Sequence, residues 1–345
     1  MNPYLTPQKK IVIGTLVSAV FIAIGIMVHP KSNLSSATSI IHPSSDIIYQ
    51  HNSPRDPATP AQAASTTTMA IPTTTSTSTT TTIPAPSEPG GGSTLFPDKR
   101  VVAFYGAPNG GSLGVLGEAT PQTMWPKLIA QANQYQQPGV QILPAYELIT
   151  YVAQGSPQPD GTYSKRLSNS EIQQYLDVVK AHDGMLILDI QPGRGNFLND
   201  AKTLTTFLEQ PDVALALDPE WQVDSTHIPG QVIGNTTAAE INQVSAWLQQ
   251  LTTTNHLPQK LLLIHQFNSA MVQDKQAVQA EPNLAIVFNM DGFGTWKAKL
   301  SSYQMLSADN KFQLGFKLFY RQDVPLESPP SVLALNPVPV VIEYE

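Results

Sequence analysis

Residues 185–221 read MLILDIQPGRGNFLNDAKTLTTFLEQPDVALALDPEW. Two short apolar runs, Met185 to Gln191 and Val213 to Glu220, enclose a longer polar stretch, and each run ends in acids. Runs apolar on both faces are what parallel strands show when helices cover them outside and a packed interior fills them inside.

The same unit recurs in both directions. VVAFYG (101–106), VQILPAYEL (140–148), LLLIHQF (261–267), LAIVFNMDG (284–292), FQLGFKLFY (312–320) and VPVVIEY (338–344) bring the number of runs to eight. Stretches of helical periodicity separate them. Start signals open several: Thr120-Pro121 and Ser328-Pro329 pair a cap with a proline, and Ser168 and Thr237 are followed three residues later by Glu171 and Glu240, as capping boxes require. Ile241, Val244, Trp247, Leu248 and Leu251 mark one buried helical face. Eight strand–helix units in about 250 residues predict an α/β fold of the (β/α)8 TIM-barrel class, which leaves no exposed sheet edge. An open doubly wound sheet fits less well, because no GxGxxG follows the first strand.

The barrel accounts for residues 96–345. Before it, Ile11 to Val28 read IVIGTLVSAVFIAIGIMV, an uncharged run long enough to cross a bilayer. Lys9 and Lys10 on its N-terminal flank predict a cytoplasmic N-terminus, and hence a signal-anchor over residues 1–31 with the barrel outside the cell membrane. The alternative is secretion after signal cleavage. Residues 32–95, rich in Ser, Thr and Pro, have too little apolar content to offset the entropy of ordering and are expected to be a disordered stalk.

Charged residues make up only 13% of the chain, against a usual share of about a quarter. Four basic and three acidic residues precede residue 96, leaving 15 basic and 23 acidic in the barrel, a net charge of −8. Such a surface repels phosphate backbones, so nucleic acid is excluded as a partner. The absence of cysteine excludes a thiol nucleophile, disulfides and Cys-ligated zinc.

In a parallel barrel the site forms at the C-terminal ends of the strands, which makes polar residues closing apolar runs the candidates. In strand order they are Tyr105; Glu147; Asp189 and Gln191; Asp218 and Glu220; His265 and Gln266; Asp291; Lys317 and Tyr320; Glu343 and Tyr344. Period-two alternation puts Asp189 with Gln191, and Asp218 with Glu220, on one face each. Carboxylates meeting in a low-dielectric mouth split their proton affinities, one staying protonated as an acid and another ionised, which is the division of labour glycoside cleavage needs. The aromatic residues Trp221, Phe267, Phe293, Trp296 and Tyr320 follow strand ends and are placed on the rim.

On these residues the folded part resembles the (β/α)8 glycoside hydrolases. LDPEW, Leu217 to Trp221, is similar to the strand-four Asp-x-Glu ending of chitinase-like and lysozyme-like barrels. It departs from the chitinase pattern in that Val213 to Leu217 are all apolar, and no acid ends strand seven. AFYGAPNGGSLGVLGE, LDIQPGRGNF, LDPEW and IHQF also resemble segments of exported barrel proteins of unknown activity.

The resemblance implies a glycosidase-like enzyme acting on cell-wall or other extracellular polysaccharide, without a cofactor. Glu220 is then the general acid and Asp189, Asp218 or Asp291 its ionised partner. Tyr105, Glu147, Gln191, Trp221, His265, Gln266, Lys317, Tyr320 and Glu343 contact substrate in this reading. Two others stay open: a metal-dependent hydrolase or phosphodiesterase using Glu147, Asp189, Asp218, Glu220 and His265 as ligands, and a barrel that binds polysaccharide without cleaving it.

Overall fold

A computed structural model describes residues 86–308 and 311–345. The run over residues 11–28 and nearly all of the stalk lie outside the described residues. Among the described residues no helix is long and apolar enough to cross a membrane.

Eight parallel strands close a barrel: β1 (Lys99–Gly106), β2 (Gln141–Ala153), β3 (Met185–Ile190), β4 (Val213–Leu217), β5 (Lys260–Gln266), β6 (Leu284–Met290), β7 (Gln313–Leu318) and β8 (Val341–Tyr344). Each pairs with its neighbour in sequence, and β8 returns to β1 with Val101 opposite Val341. Beyond an irregularity at Ile149 and Tyr151, β2 continues upward and pairs antiparallel with Ser164–Arg166.

Outside lie α1 (Pro121–Ala132), α2 (Asn169–Ala181), α3 (Phe197–Thr203), α4 (Ala238–Thr254), α5 (Trp296–Ser307) and the short α6 (Pro329–Leu333). The capping signals act as the sequence implies. Thr120 and Ser328 accept backbone N–H bonds from Thr123 and Ser331, and Ser168–Glu171 and Thr237–Glu240 form reciprocal boxes.

The expected eight strand–helix units are not all present, since no α-helix joins β5 to β6. Two single 3-10 turns, Ser269–Met271 and Lys275–Ala277, are kept apart by Val272–Gln273, which pairs in parallel with Thr236–Thr237, and by Asp274 in a left-handed conformation (φ 53°). The resulting strap is hooked to α4 by Asn242, which donates to Ala277 O at 2.9 Å and accepts from Gln279 N at 2.8 Å. Val278 beneath it is fully buried.

Alternation along each strand separates two cores. Val102, Phe104, Leu186, Leu188, Leu215, Leu217, Leu262, Ile264, Phe288 and Phe316 face the helices. Val101, Ala103, Leu143, Ala145, Met185, Ile187, Ala214, Ala216, Leu261, Leu263, Ala285, Val287 and Val341 fill the lower interior. Full burial of each large apolar side chain contributes roughly 1.5–3 kcal/mol.

The barrel's edge lies earlier than residue 96. Residues 86–95, assigned by composition to the stalk, belong to its floor: Leu95 is fully buried against the interior cluster and Glu88 is 2% exposed.

Candidate active site

The interior series continue upward into polar residues by the same period of two. In β4, Ala214 and Ala216 face inward, so Asp218 follows them; in β3, Met185 and Ile187 lead to Asp189. Glu220 departs from this rule. The strand has ended, and a 3-10 turn over Pro219–Trp221 carries its side chain back over the mouth. One carboxylate oxygen each of Asp218, Glu220 and Asp291 lie within 4.8 Å of one another. Glu220 is the partly exposed member, whereas Asp218 is 1% and Asp291 6% exposed.

Below them is a charged layer. His265 places Nε2 at 2.8 Å from Glu147 Oε1 and Nδ1 at 3.0 Å from Asp291 Oδ2, with Glu343 Oε2 at 3.9 Å. Lys317 Nζ lies 3.2 Å from Asp291 Oδ1, 2.8 Å from Glu345 Oε2 and 3.3 Å above the Tyr105 ring. The Tyr105 hydroxyl donates towards Asp189 Oδ2 at 3.3 Å and accepts from Gln191 Nε2 at 3.0 Å. Asn289 donates to Glu343 Oε2. It has room because Gly315 faces inward opposite it: a Cβ at that glycine would fall 2.3 Å from Asn289 Oδ1.

Seven carboxyl groups thus share one opening with two cations, and the proton affinities diverge accordingly. Burial pushes Asp189 and Glu343 well above the ordinary range, helped by Asp218 and Glu147 respectively. Burial takes Asp218 up to about 6, and burial, Asp218 and Asp291 together take Glu220 well above its usual value. Asp291 moves the other way: burial opposes its charge, but Lys317 and His265 outweigh burial and hold it below the usual range. Burial also opposes the charge on His265 and on Lys317. Asp291 with Glu147 in the first case, and Asp291 with Glu345 in the second, keep those cations charged well above their ordinary values.

Two triads have spacing suited to a metal, Glu147–Asp189–His265 and Asp218–Glu220–Asp291. In the first, both imidazole nitrogens already face carboxylates and leave no lone pair for a cation. In the second, both Asp291 oxygens already face cations, Oδ1 towards Lys317 and Oδ2 towards His265, which leaves Asp218 and Glu220 as the carboxylates that could face a metal.

Of the residues singled out from sequence, the fold brings together Tyr105, Glu147, Asp189, Gln191, Asp218, Glu220, His265, Asp291, Lys317 and Glu343. Four others lie elsewhere. Gln266 donates to Asn268 O, away from the cluster. Tyr344 faces outward, its hydroxyl 2.5 Å from that of Tyr135. Tyr320 is stacked on Tyr344 at 5.1 Å and bonded to Gln131 of α1, so it covers the outer wall rather than the mouth. Trp296 packs on the outward-facing Phe316. Trp221 stays partly exposed in the turn with Glu220, and Phe293 is 49% exposed. Asn289 and Glu345 were missed, although stepping back two residues from Asp291, or forward two from Glu343, reaches them.

No family model matches the chain, and no curated protein matches it. Among solved structures, concanavalin B aligns over 71% of this chain and 93% of its own, with 12% identity and a TM-score of 0.40. The fold assignment rests on the strand pairing.

Proposed function

We propose that the barrel hydrolyses glycosidic bonds in extracytoplasmic polysaccharide, with the chain held at the membrane by residues 11–28. The observation that carries this reading is the approach of Asp218, Glu220 and Asp291 to within 4.8 Å at the mouth, with Lys317 and His265 both set against Asp291.

In this reading Glu220 keeps its proton and delivers it to the leaving-group oxygen, while ionised Asp291 attacks the anomeric carbon. Water then cleaves the glycosyl ester with Glu220 acting as base. The short carboxylate separation favours this double displacement over inversion, which needs roughly 6.5–9.5 Å to admit a water.

The test is hydrolysis of aryl glycosides and wall polysaccharides by the purified protein. Glu220→Gln is expected to lower turnover about 10²–10⁴-fold with thermal unfolding nearly unchanged. An equal loss of stability, or glycan binding without product, counts against catalysis by this residue.

The spacing of Asp218, Glu220 and Asp291 also supports a second reading, a metal-assisted hydrolase. Activity abolished by chelator and restored by Mg²⁺, Mn²⁺ or Ca²⁺ selects it.

A further inference from the structure

Behind the mouth lies an ion pair that bonds no candidate substrate-facing side chain. Lys299, in the first turn of α5 and 2% exposed, sets its ammonium 2.9 Å from Asp323 Oδ2. The same ammonium donates to Gly292 O at 2.7 Å and to Lys317 O at 2.8 Å. Asp323 in turn accepts from Gly294 N and from Phe319 N, both at 2.9 Å.

Every one of these backbone contacts flanks the Asp291–Lys317 pair. Gly292 and Gly294 follow Asp291 in the loop above β6, and the Lys317 carbonyl belongs to the residue whose ammonium meets Asp291. The two loops come from different strands, and no backbone hydrogen bond joins Asp291 itself to β7 among the described pairings, whose register ends at Met290 opposite Phe316. A lysine buried at this depth is costly unless its donors are all used, and here they are used on the two segments that must stay in register.

We infer that Lys299 and Asp323 form a positioning clamp that fixes the Asp291 carboxylate against Lys317 and His265. The clamp serves the acid–base site proposed above, so it rests on that reading for its purpose but not for its geometry. Neither residue touches the reacting groups; both act through the backbone of residues 291–294 and 317–319.

The test separates the two ideas. Lys299→Met keeps the apolar stem and removes the three donors, leaving Asp323 its two N–H partners. In histidine-labelled protein, the ¹⁵N shifts of His265 report its surroundings, namely Glu147, Asp291, Glu343 and the Tyr105 ring. If the clamp holds Asp291 in place, the His265 ring ¹⁵N shifts, compared at one fixed pH, differ between the variant and the wild type. Glycoside turnover then falls about tenfold or more, mainly in kcat, as small misplacements of reacting groups do.

A folded variant with unchanged His265 ¹⁵N shifts overturns the inference. Should Lys299→Met not fold, Asp323→Asn, which retains an acceptor for one N–H, is read the same way. Loss of the fold in both assigns the pair a purely structural role and also overturns it. Wild-type protein without glycosidase activity, together with the expected His265 shift change in the variant, rejects the function and leaves the clamp standing.

Discussion

The two ends of the barrel carry buried charge to similar depth and use it differently. At the floor, Lys260 is 1% exposed and gives its protons to the carbonyls of Gln210 and Val213, at 2.7 Å each. Lys99 likewise bonds Gly91 O and Thr94 O. At the mouth, Lys317 and His265 face carboxylates from other strands across the axis. Floor lysines are tied to backbone and fasten segments; mouth cations are tied to side chains that are themselves held apart from full neutralisation. Burial of charge alone therefore does not mark a site. Convergence of side chains from several strands does.

The contrast is broken most forcefully at its centre. Lys317→Met leaves Asp291 with His265 alone and Glu345 without a partner, and is expected to destabilise the fold by about 3–5 kcal/mol in denaturant unfolding. A loss under about 1 kcal/mol would show that the mouth charges are neutralised by protons rather than by the lysine.

Gly315→Ala comes next, because its methyl would overlap Asn289 Oδ1. The expected loss is about 1–3 kcal/mol, with turnover reduced as Asn289 leaves Glu343. Unchanged stability would mean that Asn289 is free to turn away.

The floor offers a pH test. Burial raises Glu88 to about 8, and neither of its oxygens has a hydrogen-bond partner. A folded value above the ordinary 4.5 means that the folded state binds the proton more tightly. Its stabilising contribution is complete below pH 4.5 and fades as the pH rises through about 8. Melting temperatures of Glu88→Gln should consequently fall less than those of the wild type between pH 5 and 9, with turnover untouched. Identical pH profiles would remove Glu88 from the account.

Tyr320→Phe should change least, costing about 0.5 kcal/mol for the bond to Gln131 and leaving turnover as it was. A drop in turnover would return this ring to the mouth.

The eight strands and the helix caps were legible because burial and hydrogen-bond satisfaction act over short stretches: VALAL needs only to be apolar on both faces, and Ser168 needs only Glu171. The strand-end acids were legible for the same reason, as continuations of an inward row. What escaped depended on neighbours distant in sequence. Tyr320 and Gln266 end strands as Lys317 and His265 do, yet the outer stack on Tyr344 and the Asn268 carbonyl claim them. The pairing of Lys299 with Asp323 spans two connections and has no local pattern. The missing β5–β6 helix goes with the left-handed Asp274 and with the pairing of Val272–Gln273 on Thr236–Thr237, a partner distant in sequence.

That missing helix changes the cover outside the ring of strands. Between β5 and β6 the cover is a strap that buries Met271, Val272 and Val278, pairs Val272–Gln273 with Thr236–Thr237, and is fastened by amide hooks from Asn242 and by Gln249, which accepts from Asn283 N. Local opening should begin there, with amide exchange over 268–283 faster than over any helical connection. The strands beneath it remain paired from Lys260 opposite Leu284 to Gln266 opposite Met290, so the strap can open without parting the ladder that carries His265 and leads to Asp291.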